Sequence, residues 1–85
     1  MNCFFVYILK CHDNSYYIGH TDNLEKRLSE HNNKQYSGYT SSRTPVKLVF
    51  YQNFELRDFA FIAERKIKGW NRKKKELLIN GKLFI

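Results

Sequence analysis

Two tyrosines, Tyr7 and Tyr17, stand ten residues apart in the most strand-like runs of the chain, Phe4-Phe5-Val6-Tyr7-Ile8-Leu9 and Tyr16-Tyr17-Ile18-Gly19. Between the runs lies a polar stretch, Cys11-His12-Asp13-Asn14-Ser15. Aromatic and β-branched runs bounded by Asp, Asn and Ser read as a β-hairpin. Residues that face each other across an antiparallel pair have position numbers with a constant sum. If Lys10 closes the loop opposite Tyr16, that sum is even, and Tyr7 and Tyr17 project from the same face. Gly19 then lies opposite Tyr7 and leaves open space beside that phenol. Two phenols and bare backbone on one sheet face make a small polar platform.

Three further groups could do chemistry. Arg27 and His31 are four residues apart, so on a helix they stack on one side, next to the leucine stripe formed by Leu24 and Leu28. A fixed cation and a titratable imidazole would then face the sheet together; otherwise Arg27 is solvated and His31 is a packed, hydrogen-bonded histidine. Glu64 falls roughly 80° from the centre of the apolar stripe of a later helix, on its margin. A carboxylate there is either paired, with Lys68 one turn on as the simple partner, or placed for a metal. The third group is cationic, Arg72-Lys73-Lys74-Lys75 at the start of a helix, where positive charge opposes the macrodipole. A sequence that breaks a local rule in this way suits contact with phosphate, although a solvated face is the alternative. Tyr39-Thr40 and Arg43, in a polar loop, could also contact phosphates or be incidental surface residues.

These residues need elements to position them. After the hairpin, Asp22 can cap a helix from Asn23 to Asn32, with Glu25 in a capping-box relation. Residues 32–44 form a long polar loop that Pro45 ends. Val46 to Phe54 reads as a third strand in which Val46, Leu48 and Phe50 alternate with Lys47, Val49 and Tyr51. From Leu56 to Trp70, apolar positions 56, 59, 60, 63, 67 and 70 recur at helical period. Gly69 ends or kinks that helix. Asn71 caps a last helix, Arg72 to Asn80, and Asn80-Gly81 stops it. The fold class is therefore α+β, a three-stranded antiparallel sheet with about three helices in the order β-β-α-β-α-α. Three strands need such a helical cover to be stable.

Size and charge bound the function. Eighty-five residues allow one domain, residues 1–85, with a modest core. Lys and Arg outnumber Asp and Glu 15 to 8, a formal charge of +7, which points to an anionic partner, most often nucleic acid. Cys3 and Cys11 are the only cysteines and lack zinc-site spacing, so free thiols in a reducing, cytoplasmic setting are expected. No stretch reaches about 18 apolar residues, so no membrane partner is expected.

Val6-Tyr7-Ile8, the step to Tyr17, and Tyr17-Ile18-Gly19 resemble the paired signature of the GIY-YIG nuclease family. The second half matches letter for letter; the first has Val6 where the family name has Gly. The resemblance extends over nearly the whole chain, through the Arg27/His31 helix, the third strand, Glu64 and the basic tail. It is nearest to the small single-domain bacterial type, with Tyr39-Thr40 and Ile67-Lys68-Gly69-Trp70 adding to the match. It implies a Mg²⁺-dependent endonuclease acting on DNA phosphodiesters, with Mn²⁺ as a substitute ion and RNA as a further nucleic-acid partner to test. By that analogy Glu64 is the metal ligand and Arg27 stabilises phosphate charge. Tyr7 is the general base, with His31 the other candidate, and Tyr17 orients water or phosphate. Gly19, Tyr39, Arg43, Lys68 and Arg72 to Lys75 would contact nucleic acid. Many members also carry a site Asn after the Glu; Asn71 and Asn80 are available and neither is assigned. A non-catalytic nucleic-acid binder that keeps the fold is the competing class. Larger members gain specificity from an appended domain, so this chain is expected to prefer a DNA shape or bind weakly unless a homodimer or a partner protein supplies specificity.

Overall fold

The computed structural model describes residues 3–34 and 38–85. Its elements are β1 (Phe4–Lys10), β2 (Tyr16–Thr21), α1 (Leu24–Asn32), β3 (Lys47–Phe54), α2 (Arg57–Lys68) and α3 (Arg72–Ile79). The strands form one antiparallel sheet in the order β2-β1-β3. The α+β architecture expected from the sequence is the one observed.

β1 is central because it alone carries an unbroken apolar run, Val6 to Leu9, in which every residue is at most 1% exposed. A strand covered on both faces reads this way, whereas a half-covered strand alternates. Val6 and Ile8 point to one face and pack with Ile18, Ala63, Ile67 and Leu78, beneath α2 and α3. Tyr7 and Leu9 point to the other and pack with Cys11, Val46, Leu24 and Leu28, beneath α1. Each fully buried aliphatic side chain contributes about 1.5–3 kcal/mol relative to exposure, so the strand is anchored from both sides.

Four expectations are corrected. Asn23, not Asp22, caps α1, its side chain accepting from the Lys26 amide at 3.1 Å. Thr21 Oγ1 accepts the Asn23 amide at 3.1 Å, which turns the chain one residue later, and Asp22 instead pairs with Arg57 at 3.7 Å. In β3 the alternation breaks: Ile8 faces Phe50 but Leu9 faces Leu48, so Val49 bulges out of register. Leu48 consequently packs on the α1 side and Phe50 on the α2 side. The stripe of α2 is also narrower, since Ala60, Ala63, Glu64 and Ile67 are its buried residues while Leu56 and Phe59 are more than half exposed. Finally, the helix begins at Arg57, with Leu56 as its N-cap rather than its first residue, while Gly69 ends it as expected.

The end of α3 follows its sequence signal. Gly81 takes φ +74°, its amide donates to the Leu78 carbonyl at 3.1 Å, and the Lys82 amide reaches Leu77 at 2.8 Å. This pair of bonds is a Schellman closure, which needs a left-handed residue. Gly69 differs, with φ −79° and only Lys66 and Arg65 carbonyls near an added Cβ, the nearer at 3.5 Å. Gly81→Ala should cost about 1 kcal/mol and Gly69→Ala should stabilise by a few tenths, read as opposite shifts of the urea midpoint.

Candidate active site

The register places the tyrosines as their spacing requires. Lys10 faces Tyr16, Tyr7 faces Gly19 and Leu9 faces Tyr17, so both phenols lie on the α1 side. The space above Gly19 is not open, however. A Cβ at Gly19 would sit 2.5 Å from the Tyr7 hydroxyl and 2.7 Å from its ring carbon, so the phenol of Tyr7 lies across the bare backbone. Glycine is needed there for close approach rather than for a turn.

α1 brings His31 over this phenol. His31 Nε2 is 3.1 Å from Tyr7 Oη, and its Nδ1 is 2.8 Å from Thr40 Oγ1. Tyr7, His31 and Thr40 are 1%, 1% and 2% exposed, so the chain of polar groups is internal. Either neutral tautomer satisfies both contacts: with the hydrogen on Nδ1, Tyr7 donates to Nε2 and His31 donates to Thr40; with it on Nε2, both directions reverse. Burial pushes the His31 pKa below its ordinary value, the Arg27 cation lowers it further, and Glu30 only partly opposes. These causes favour the neutral form of the His31 imidazole over the charged one. Tyr17, half-buried, packs edge-on to His31 with ring centres 5.0 Å apart and is the outer phenol of the pair. Arg27, one turn before His31, lies with its Nε 3.5 Å from Glu30.

The loop that carries Thr40 is tied down by the residues beside it. Arg43 Nε donates to Asp13 at 2.9 Å, its Nη1 donates to the Tyr39 carbonyl at 2.7 Å, and its guanidinium stacks 4.0 Å over the Tyr39 ring. Arg43 and Tyr39 thus hold the loop to the hairpin turn. Residues 35–37 of the polar loop lie outside the described residues.

Glu64 belongs to the other face. His20 faces Val6 in the register, hence points to the α2 side, and its Nδ1 lies 2.7 Å from Glu64 Oε1. Lys68 Nζ lies 2.9 Å from Oε2. Burial alone would raise the Glu64 pKa, but hydrogen bonds from His20 and Lys68 and the Lys68 charge outweigh it, so the carboxylate is held below its usual range. The alternative of a Lys68 pairing is thus present in the fold. Glu64, Phe61, Arg65 and Lys68 line a depression of ≈ 400 Å³. Among the described residues no three His, Cys, Asp or Glu side chains gather as a metal cage. An ionised carboxylate beside an imidazole nonetheless fits a hard divalent ion whose other positions are filled by phosphate and water. Such a fit requires Lys68 to share or release Oε2.

His20 escaped the sequence reading, although a signal existed: the even register that aligns Tyr17 with Tyr7 turns His20 toward whatever covers the opposite face. Thr40, expected with Tyr39 as a phosphate contact, is instead 2% exposed and bonded to His31. The basic helix start is partly engaged. Arg72 pairs with Glu76 at 3.3 Å and lies 4.3 Å over the Tyr16 ring, and Lys74 lies 4.7 Å over Trp70. Lys73 and Lys74 are exposed, and Lys75 is half-buried. Asn71 is the N-cap of α3, accepting from the Lys74 amide at 2.8 Å, and Asn80 is its C-cap.

A family model described as the GIY-YIG catalytic domain matches residues 3–77. The chain belongs to the GIY-YIG family. It is 44% identical over 81 residues to the UPF0213 protein YazA of Bacillus subtilis (strain 168), covering 95% of this chain and 82% of that one. It is 49% identical over 78 residues to the UPF0213 protein CPE1444 of Clostridium perfringens (strain 13 / Type A), covering 92% and 84%. The solution NMR structure of the UPF0213 protein BH0048 from Bacillus halodurans matches with TM-score 0.62 at 35% identity over 94% of this chain and 85% of that one. The protein EF2693 from E. faecalis gives TM-score 0.65 at 35% identity, covering 95% and 86%. The family supports a nuclease-type function.

Gly19→Ala tests the GIY-YIG face directly. The added methyl must displace the Tyr7 ring and break its bond to His31, at a cost of about 1–3 kcal/mol. The expected readouts are a lowered urea midpoint and a changed His31 ring signal in ¹⁵N NMR.

Proposed function

We propose that this GIY-YIG chain is a divalent-metal-dependent endonuclease that hydrolyses DNA phosphodiesters. The observation that carries the reading concerns one edge strand: β2 meets the neutral phenol–imidazole cluster on one face and, through His20, the ionised Glu64 on the other. Hydrolysis of a phosphodiester needs both a proton acceptor for water and a neutraliser of phosphate charge.

A lone phenol has a pKa near 10 and is almost wholly protonated at neutral pH. Hydrogen bonding to a neutral His31 gives Tyr7 an acceptor for its own proton as it takes one from water. That division joins the two candidate bases into one unit. Because Tyr7 is buried, the water must reach it past Tyr17, whose outer position suits it to orient water or phosphate. The Arg27 guanidinium can bridge two phosphate oxygens. When bound, a Mg²⁺ ion at Glu64 would neutralise the scissile phosphate and stabilise the leaving 3′-oxygen. Lys68, Lys73, Lys74 and Lys75 would contact the nucleic-acid backbone, with Arg72 beside them. Gly19 would act through Tyr7. Tyr39 and Arg43 would act by holding the Thr40 loop.

Two observations favour a second reading, a nucleic-acid binder without turnover: Lys68 occupies Glu64 Oε2, and Tyr7 is 1% exposed. One experiment separates the two. Plasmid and branched DNA are incubated with Mg²⁺ or Mn²⁺, comparing the native chain with Glu64→Ala. The nuclease reading predicts products from the native chain, at least about 10²-fold fewer from the variant, and salt-sensitive binding by both. Binding without products from either protein would support the second reading instead.

A further inference from the structure

The outward side of α2 takes no part in the proposed site. Leu56, Phe59 and Ile62 are 55%, 53% and 58% exposed. Residues three apart on a helix are neighbours, so these side chains make one apolar strip along the helix and its N-cap. The outward face of a soluble helix is normally polar, and a contiguous apolar strip on it marks a contact surface.

The charges around the strip indicate what covers it. Glu55, Asp58, Arg65 and Lys66 make no ion pair among the described residues. Their neighbours do pair, Arg57 with Asp22 and Glu64 with Lys68. The unpaired acids stand at the N-terminal end of the strip and the unpaired bases at its C-terminal end. That polarity is self-complementary only when a second copy lies antiparallel.

We propose that this strip is the interface of a symmetric dimer, with α2 packed antiparallel on α2 of a second copy. In an isologous pair each contact occurs twice. The two-fold register that sets Phe59 against the partner's Ile62 brings Glu55, just ahead of the N-cap, to the end of the strip where the partner's Lys66 lies. Asp58 and Arg65 share one flank of the strip on a helical wheel, and in an antiparallel pair like flanks adjoin, so these two also meet. The Glu64 depression borders that flank and shares Arg65 with it, while Phe61, Glu64 and Lys68 lie on the side away from the partner. Both copies of the depression then face the same side of the dimer. The interface is one helix face wide, so the association belongs to the weak, reversible class.

Sedimentation equilibrium tests this from about 10 µM to about 1 mM protein, the range in which interfaces this small associate. The native chain should show a reversible monomer–dimer equilibrium. Phe59→Arg should weaken it by at least about 10-fold. Glu55→Lys alone sets two cations opposite each other and should weaken it. Adding Lys66→Glu to Glu55→Lys reverses the polarity of both partners and should restore the native constant to within about 3-fold. All these side chains are exposed, and circular dichroism of each variant checks that the fold is kept. A native chain that stays monomeric throughout, or a dimer that Phe59→Arg leaves unchanged, would overturn the proposal. So would a double variant no tighter than Glu55→Lys alone.

Discussion

The constraint on which the site depends is the close approach of the Tyr7 phenol to the backbone of Gly19. β1 is covered on both faces, so its side chains have no freedom to tilt away. The hydroxyl end of the ring can approach β2 this closely only where the facing residue has no Cβ. From that position its hydroxyl reaches His31 Nε2, and His31 in turn orders Thr40. Moving any one of these groups moves the others, because each is buried and has its hydrogen bond to satisfy. The Arg43–Asp13 pair and the Tyr39 stack extend the same order out to the hairpin turn.

Electrostatics divide the two faces of β2. On the tyrosine side, burial and the Arg27 cation keep an imidazole neutral. On the α2 side, burial acts the opposite way on the carboxylate, yet His20 and Lys68 outweigh it and keep Glu64 ionised. A neutral proton acceptor and a fixed negative charge therefore flank one strand of a chain whose net charge is +7. Lys68 compensates Glu64 while no stronger cation is present. The Glu64 side chain is only 11% exposed, so if the ammonium turns away, a bound cation must take over its compensation of that largely buried charge.

Much of this was legible in the sequence, for local reasons. A hairpin loop closed by Lys10 opposite Tyr16 makes the register sum even, and that register is the one that sets Tyr7 and Tyr17 on a shared face. Helical spacing puts Arg27 with His31 and places Glu64 at the edge of a buried stripe within reach of Lys68. Asn71 and Asn80-Gly81 mark the ends of α3 through capping chemistry. What escaped depends on packing between elements distant in sequence. The pairing of Thr40 with His31, and of His20 with Glu64, arises only when α1 and α2 dock on the sheet. The Val49 bulge answers the geometry of β1, not any signal within β3. The Asn23 cap followed from Thr21 taking its amide, a competition between adjacent side chains that composition does not rank. Leu56 fits the helical period but is the extended N-cap ahead of the helix, and Phe59 lies at the edge of the arc that Ala60, Ala63 and Ile67 turn to the sheet.

The central claim is that His31 stands neutral and aligned to take the Tyr7 proton. The most direct test is ¹⁵N NMR of the histidine rings followed through a pH titration. The account predicts His31 with its proton on Nδ1 at neutral pH, charging only below the ordinary histidine value of 6.5. A His31 that titrates at or above that value, or that carries its proton on Nε2, would contradict it.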